Sequence, residues 1–239
     1  MNEFEIKELI YNRINTLNLR DFYDDTVIVS DSNIVANYNN RNFLIMINPN
    51  NIDKHLDKVF EIDTNLDRDL YREFYFKYVL YHELRHVYQN KLVNGTEEKC
   101  LLRRLLQLDE PSLDSGALYT YMHDLYVCER DADLSSLQEL ESCYKDTSIG
   151  LKVSNFKISK LIKGYNIRMG NVVYPRKTLN ELRDINPVNK IRVRMINDLM
   201  EEYDSLELYL RLYYGMPITL GEYVNLLGLD RKEKVLVKQ

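Results

Sequence analysis

Hydrophobic positions along this chain change their spacing several times, and each change marks an element. In residues 4–18 (FEIKELIYNRINTLN), Phe4, Ile6, Leu9, Ile10, Ile14 and Leu17 recur every two to four positions, the stripe of an amphipathic helix. From 26 to 48 the pattern shortens to β-rich runs, TVIVS, NIVANY and NFLIMIN, separated by the polar clusters Asp31-Ser32-Asn33 and Asn39-Asn40-Arg41-Asn42 that turns favour. Three short strands joined this way predict a small antiparallel meander. Asn48-Pro49-Asn50-Asn51 then ends the last strand, because proline cannot continue a ladder and pushes the residue before it toward extended backbone.

Beyond that stop the helical period returns. Asn65 and Asp67 offer cap oxygens before a stretch of 68–92 that ends at Asn94-Gly95. Residues 97–108 predict another helix, broken at Pro111, and 113–145 one or two more. A last amphipathic helix over 191–214 and a short one opening near Pro217-Ile218-Thr219 complete the chain. With no repeat and no low-complexity linker, residues 1–145 read as the core and 146–239 as a helical extension packed on it as one unit. The fold class expected is α+β, mainly helical, with the small sheet near the 68–92 helix.

Composition narrows the class. The 239 residues are 45% hydrophobic, enough for one sizeable core or two small ones. No run approaches the ~18 apolar residues of a membrane-spanning helix, and the start MNEFEIKELIYNR has no basic region followed by an apolar one, so a cytoplasmic protein is expected. Cys100, Cys128 and Cys143 lack C-x-x-C spacing and encode neither a disulfide framework nor a thiolate zinc knuckle. Nineteen tyrosines and no tryptophan is an unusual balance that points to no one function.

The net charge of −5 opposes general nucleic-acid binding but not a local basic patch. Such a patch is encoded between Thr147 and Asn180, with seven basic residues (Lys152, Lys157, Lys160, Lys163, Arg168, Arg176 and Lys177) and no acidic one. Two readings stay open there: a solvated or neutralising face, or a surface for anions such as nucleic acid.

Chemistry concentrates in His82-Glu83-Leu84-Arg85-His86, an H-E-x-x-H sequence within the predicted 68–92 helix. Residues four apart differ by about 40° in azimuth, so both imidazoles project from one face and can share a tetrahedral ion. Glu83 lies beside them, where a general base can take a proton from metal-bound water without being a ligand. The alternative is an ordinary amphipathic helix with two surface or core histidines. A catalytic zinc normally has three protein ligands, and the best third candidate lies in LYVCERDADLSS. There Glu129 and Asp133 fall four apart on one helical face, continuing Met122 and Leu125, and Ala132 would let a neighbouring helix approach. A solvated acidic pair is the competing reading. His123 falls about 120° from Glu129 on that helix and is read as a surface or interface histidine; His55, in DKHLDK, is read as solvated.

Together the two motifs resemble the gluzincin superfamily of zinc metallopeptidases, whose pattern is H-E-x-x-H on one helix and E-x-x-x-D on a second. The form E-x-x-A-D is present here as Glu129-Arg130-Asp131-Ala132-Asp133. Over residues 42–136 the chain looks most like the ImmA/IrrE-type intracellular peptidases of bacteria, phages and mobile elements, with a longer interval between His86 and Glu129. The resemblance implies a zincin-like fold, His82, His86 and Glu129 as zinc ligands, Glu83 as the base, and Asp133 accepting an imidazole N–H, most naturally from His82. It also implies that the strand over 43–48 forms a sheet edge along which an extended peptide can lie. An oxyanion donor is expected too, with Tyr88, Tyr126 and Tyr165 all open.

The expected function is therefore a zinc-dependent endopeptidase hydrolysing a specific intracellular protein, a regulator on the pattern of phage and mobile-element relatives. The alternatives are a non-catalytic, zinc-stabilised partner-binding module and a nucleic-acid-binding protein using residues 147–180.

Overall fold

The structure is a computed structural model and describes residues 2–30, 32–94 and 127–168 together with positions 190 and 194. Among these residues it is mainly helical with one small sheet, an α+β architecture. The expected helix over 97–108, that over 191–214 apart from position 194, the short one opening near Pro217-Ile218-Thr219, the Gly95 stop, and Pro111, Met122, His123 and Leu125 lie outside the described residues. By its contacts the chain divides into two units, Met1–Arg103 with Asp131–Lys160, and Arg104–Arg130 with Leu161–Gln239. Most of the described residues belong to the first unit.

Helix α1 (Glu3–Thr16) opens with a capping box: the Asn2 side chain accepts from the Glu5 amide while the Glu5 carboxylate accepts from the Asn2 amide. Its buried face narrows to Ile6, Ile10 and Ile14, whereas Phe4 is exposed. The helix ends at Leu17, and Asn18 takes a left-handed backbone (φ 52°), which asparagine tolerates better than most residues, turning the chain back toward the sheet.

Strands β1 (Asp25–Ile28), β2 (Ala36–Asn39) and β3 (Leu44–Ile47) form where the short apolar runs predicted them, but not in the predicted arrangement. The sheet is mixed, in the order β1-β3-β2, with β1 parallel and β2 antiparallel to β3. The antiparallel meander is thus corrected. Beta-3 takes the centre because its alternate residues Ile45 and Ile47 are fully buried. The link from β1 to β2 crosses the end of β3, and side-chain amides replace the pairing a hairpin would have supplied. Asn48 donates to the carbonyls of Ser30 and Ser32, and Asn51 donates to those of Ser32 and Ile34. The expectation of a free edge along 43–48 falls with the meander, since β3 is hydrogen-bonded on both sides.

Helix α2 (Pro49–Ile62) follows directly and was not foreseen. The Asn48 side chain caps it and Pro49 occupies its first turn, where a missing N–H costs nothing. Ile52 and Leu56 are buried. His55 is exposed, with one ring face stacked on Tyr75 at 4.8 Å. Desolvation by that contact, with the positive charges of Lys58 and Lys160, holds its pKa below the ordinary imidazole value.

Helix α3 (Arg68–Asn94) is the spine of this unit. Asp67 caps it by accepting from the Leu70 amide. Its first half buries Tyr71, Phe74, Tyr75 and Tyr78, so part of the tyrosine excess has a structural place. Phe74 meets Tyr144 and Phe156 edge-on, at 5.6 and 6.1 Å between ring centroids. Those partners come from α4 (Val127–Tyr144) and α5 (Gly150–Arg168). A Cβ at Gly150 would stand 2.4 Å from the Lys145 carbonyl oxygen, so only glycine lets α5 start this close to the end of α4.

In the described half of the basic stretch the lysines face carboxylates. Lys152 pairs with Asp63 at 2.8 Å, Lys157 with Glu141 at 2.7 Å and Lys160 with Asp133 at 2.9 Å. Lys190 and Arg194 are exposed; the side chains of Lys163 and Arg168 and all of Arg176 and Lys177 lie outside the described residues. No described helix is long and apolar enough to cross a membrane.

Candidate metal centre

The second half of α3 changes character. Tyr78, His82, Arg85 and Gln89 follow one another at intervals of four, three and four, the spacing that stacks side chains on one helix face. That face meets α4, where Ala132 is fully buried. On α4, Asp131 lies about 100° to one side of Ala132 and Asp133 about 100° to the other, so a small central residue is flanked by two carboxylates.

Asp133 serves His82. Its Oδ1 lies 3.0 Å from His82 Nδ1 and 2.5 Å from the Tyr78 hydroxyl, which donates to it, and its Oδ2 is paired with Lys160. Burial by itself would raise the Asp133 pKa. The His82 hydrogen bond, the charge of Lys160 and the Tyr78 hydroxyl outweigh it and hold the carboxyl well below the usual range. A carboxylate accepts only, so the proton of this contact belongs to His82 Nδ1 and the ring's lone pair is at Nε2.

Asp131 lies on the other flank, fully buried. Arg85 donates to both its oxygens, from Nε at 2.8 Å and from NH2 at 3.1 Å, and the guanidinium rests over the Tyr88 ring at 4.6 Å. Gln89 Nε2 also donates to Asp131, at 2.7 Å, and Gln89 Oε1 lies 2.7 Å from His86 Nδ1.

Between these two supports the imidazoles converge. His82 Nε2 and His86 Nε2 stand 3.1 Å apart, with the ring planes at 80°. Glu129 stands on the first turn of α4, one turn before Asp133, on the helix that carries both aspartates. A ligand atom from each of His82, His86 and Glu129 lies within 4.8 Å of the other two. Glu83, about 60° around α3 from His86, is 6% exposed.

The residues fit a metal ion. With nitrogens bound at about 2.0–2.1 Å, a 3.1 Å separation subtends roughly 100° at the ion, near the tetrahedral angle of ~109°. With both Nδ1 atoms facing acceptors, the two Nε2 atoms are brought together by a proton shared between the rings or by a metal cation that both ligate. Two imidazoles and a carboxylate form a set that suits zinc.

The structure brings His82, His86, Glu129 and Asp133 together and buries Glu83 beside them. Sequence reasoning missed Tyr78, Arg85, Gln89, Asp131 and Lys160. The first three were legible as a polar stripe through the two histidines. Asp131 and Lys160 carried no local signal, because their partners lie 46 and 27 positions away, at Arg85 and Asp133. Of the oxyanion candidates, Tyr88 packs under Arg85, while Tyr126 and the Tyr165 side chain lie outside the described residues. No protein-family model matches this chain, and no curated protein or solved structure matches it.

Proposed function

We propose that the chain is a zinc-dependent peptidase of zincin-like fold, with His82, His86 and Glu129 as ligands and Glu83 as general base. The observation that carries this reading is the pair of Nε2 atoms 3.1 Å apart, each on a ring whose Nδ1 is taken up by an acceptor, with a Glu129 oxygen within 4.8 Å. Bound there, zinc would supply a water acidified toward a pKa of ~7 and a Lewis acid for a carbonyl oxygen. Glu83 takes the proton of the attacking water and returns it to the leaving amine, the work of a carboxylate set beside the ligands and not among them. Asp133 keeps His82 in the tautomer that ligation requires and, as a nearby anion, makes it a stronger donor. The resemblance to the ImmA/IrrE-type peptidases makes a specific intracellular protein the substrate.

The test is metal content by plasma mass spectrometry on full-length chain purified without chelating resin, for the wild type, E129A and E83Q. Near one zinc per chain is expected in wild type and in E83Q, and little in E129A. Peptide hydrolysis, read as new amino termini in a denatured protein mixture, should fall about 10²–10⁴-fold in E83Q. A wild-type chain that binds no zinc after dialysis against it overturns the reading. Zinc binding with no hydrolysis would instead favour a metal-stabilised binding module.

A further inference from the structure

His82 and His86 are equivalent in the motif but not in what holds them. His82 touches an anion directly; His86 touches an amide, which has two ways to face and could present either its carbonyl or its NH₂ to the ring. The surroundings decide between them. Gln89 is 6% exposed, and its amide lies between His86 and the fully buried Asp131. With the NH₂ toward Asp131 the amide donates to a carboxylate at 2.7 Å. Turned over, its carbonyl would face that carboxylate, and two acceptors would be pressed together in a site that excludes water. Arg85 locks the arrangement from behind by donating to both Asp131 oxygens.

We propose that Gln89, oriented by Asp131 and Arg85, is a positioning residue that fixes His86 as the Nδ1–H tautomer with its Nε2 lone pair toward the metal-binding space. The inference deepens the metal reading and rests on it for its purpose, but the relay itself is a property of the chain. Arg85 donates to Asp131, Gln89 donates to Asp131, and His86 donates to Gln89, so one buried carboxylate sets the direction of every hydrogen bond up to the ring. The Nδ1 contact of His86 is thus with a neutral amide, whereas that of His82 is with a carboxylate.

The relay makes a prediction about the metal-free protein. In full-length chain labelled with ¹⁵N-histidine, stripped with EDTA and recorded at pH 8, two-bond ¹H–¹⁵N correlation spectra should show His86 protonated at Nδ1. In Q89M, which keeps the side-chain length and removes the acceptor, His86 should become a mixture of tautomers while His82 stays at Nδ1–H. Zinc affinity, measured against a chromophoric chelator, should weaken about 10–100-fold. Wild-type His86 protonated at Nε2 overturns the relay with no variant needed, and so does a Q89M chain whose His86 tautomer is unchanged. Wild-type chain with the Nδ1–H tautomer but no zinc affinity overturns the metal reading and leaves the relay standing, so the two failures are distinguishable.

Discussion

The two halves of α3 face the same neighbouring helices with opposite chemistry. From Tyr71 to Tyr78 the helix presents aromatic rings that pack on Tyr144 and Phe156; from His82 to Gln89 it presents donors and acceptors that are matched one by one on α4. Tyr78 belongs to both, with its ring edge-on to Phe156 at 5.1 Å and its hydroxyl on Asp133. The aromatic half gains stability from area and needs no particular partner. Each group in the polar half is costly when its partner is lost, so that half gains little net stability and fixes geometry instead. A helix used this way separates the residues that keep the unit folded from those that hold the imidazole pair in place.

The sharpest way to break that separation is in the aromatic half. Phe74, fully buried, should cost about 3–5 kcal/mol when replaced by alanine, read as a shift in the urea midpoint, with zinc per folded chain unchanged. A loss of zinc stoichiometry in folded F74A would show that the halves are not separable. Next is D131A, which leaves Arg85 half-buried without its bidentate acceptor and should cost a comparable ~3–5 kcal/mol. It should weaken zinc binding as well, which F74A should not.

E129A inverts the pattern. Zinc affinity should fall by more than the roughly 10–100-fold that a supporting residue costs, while the urea midpoint of metal-free protein should move by less than it does in F74A. The smallest effect belongs to the rim. Burial tends to raise the Glu141 pKa, but its hydrogen bonds from Lys157 and Ser154 and the Lys157 charge hold it below the ordinary value. A carboxylate with a depressed folded pKa contributes stability above its unfolded value of ~4.3 and loses it as pH falls through the folded one. The difference between wild type and E141Q should therefore be no more than about 1 kcal/mol at pH 7, begin to shrink as pH falls below the unfolded value of ~4.3, and vanish once pH is below the folded one.

Local signals made α1 and α3 legible, because each has a stripe on one face and a cap before it. The sheet strands were legible as runs but not in order, since their order depends on Asn48 and Asn51 reaching carbonyls up to 19 positions away. Helix α2 was missed for a related reason: Pro49 both ends a strand and starts a helix, and only the first role was read. The histidines and the acidic motif could be read from spacing. Of their supports, Tyr78, Arg85 and Gln89 share a polar stripe with the histidines, but Asp131 carries no such sign, because a buried aspartate and a half-exposed acidic residue look alike until the helix that covers one of them is known.

The central place of β3 also orders events in time. Beta-2 can close on β3 through a short turn at Phe43, a local step, whereas β1 has no partner until that later strand exists and then joins it parallel across the β1–β2 link. On the ribosome, β1 emerges before β3, and the parallel pairing between them waits until Ile47 has followed. The β2–β3 hairpin is then the template on which β1, made before either of them, is finally laid down.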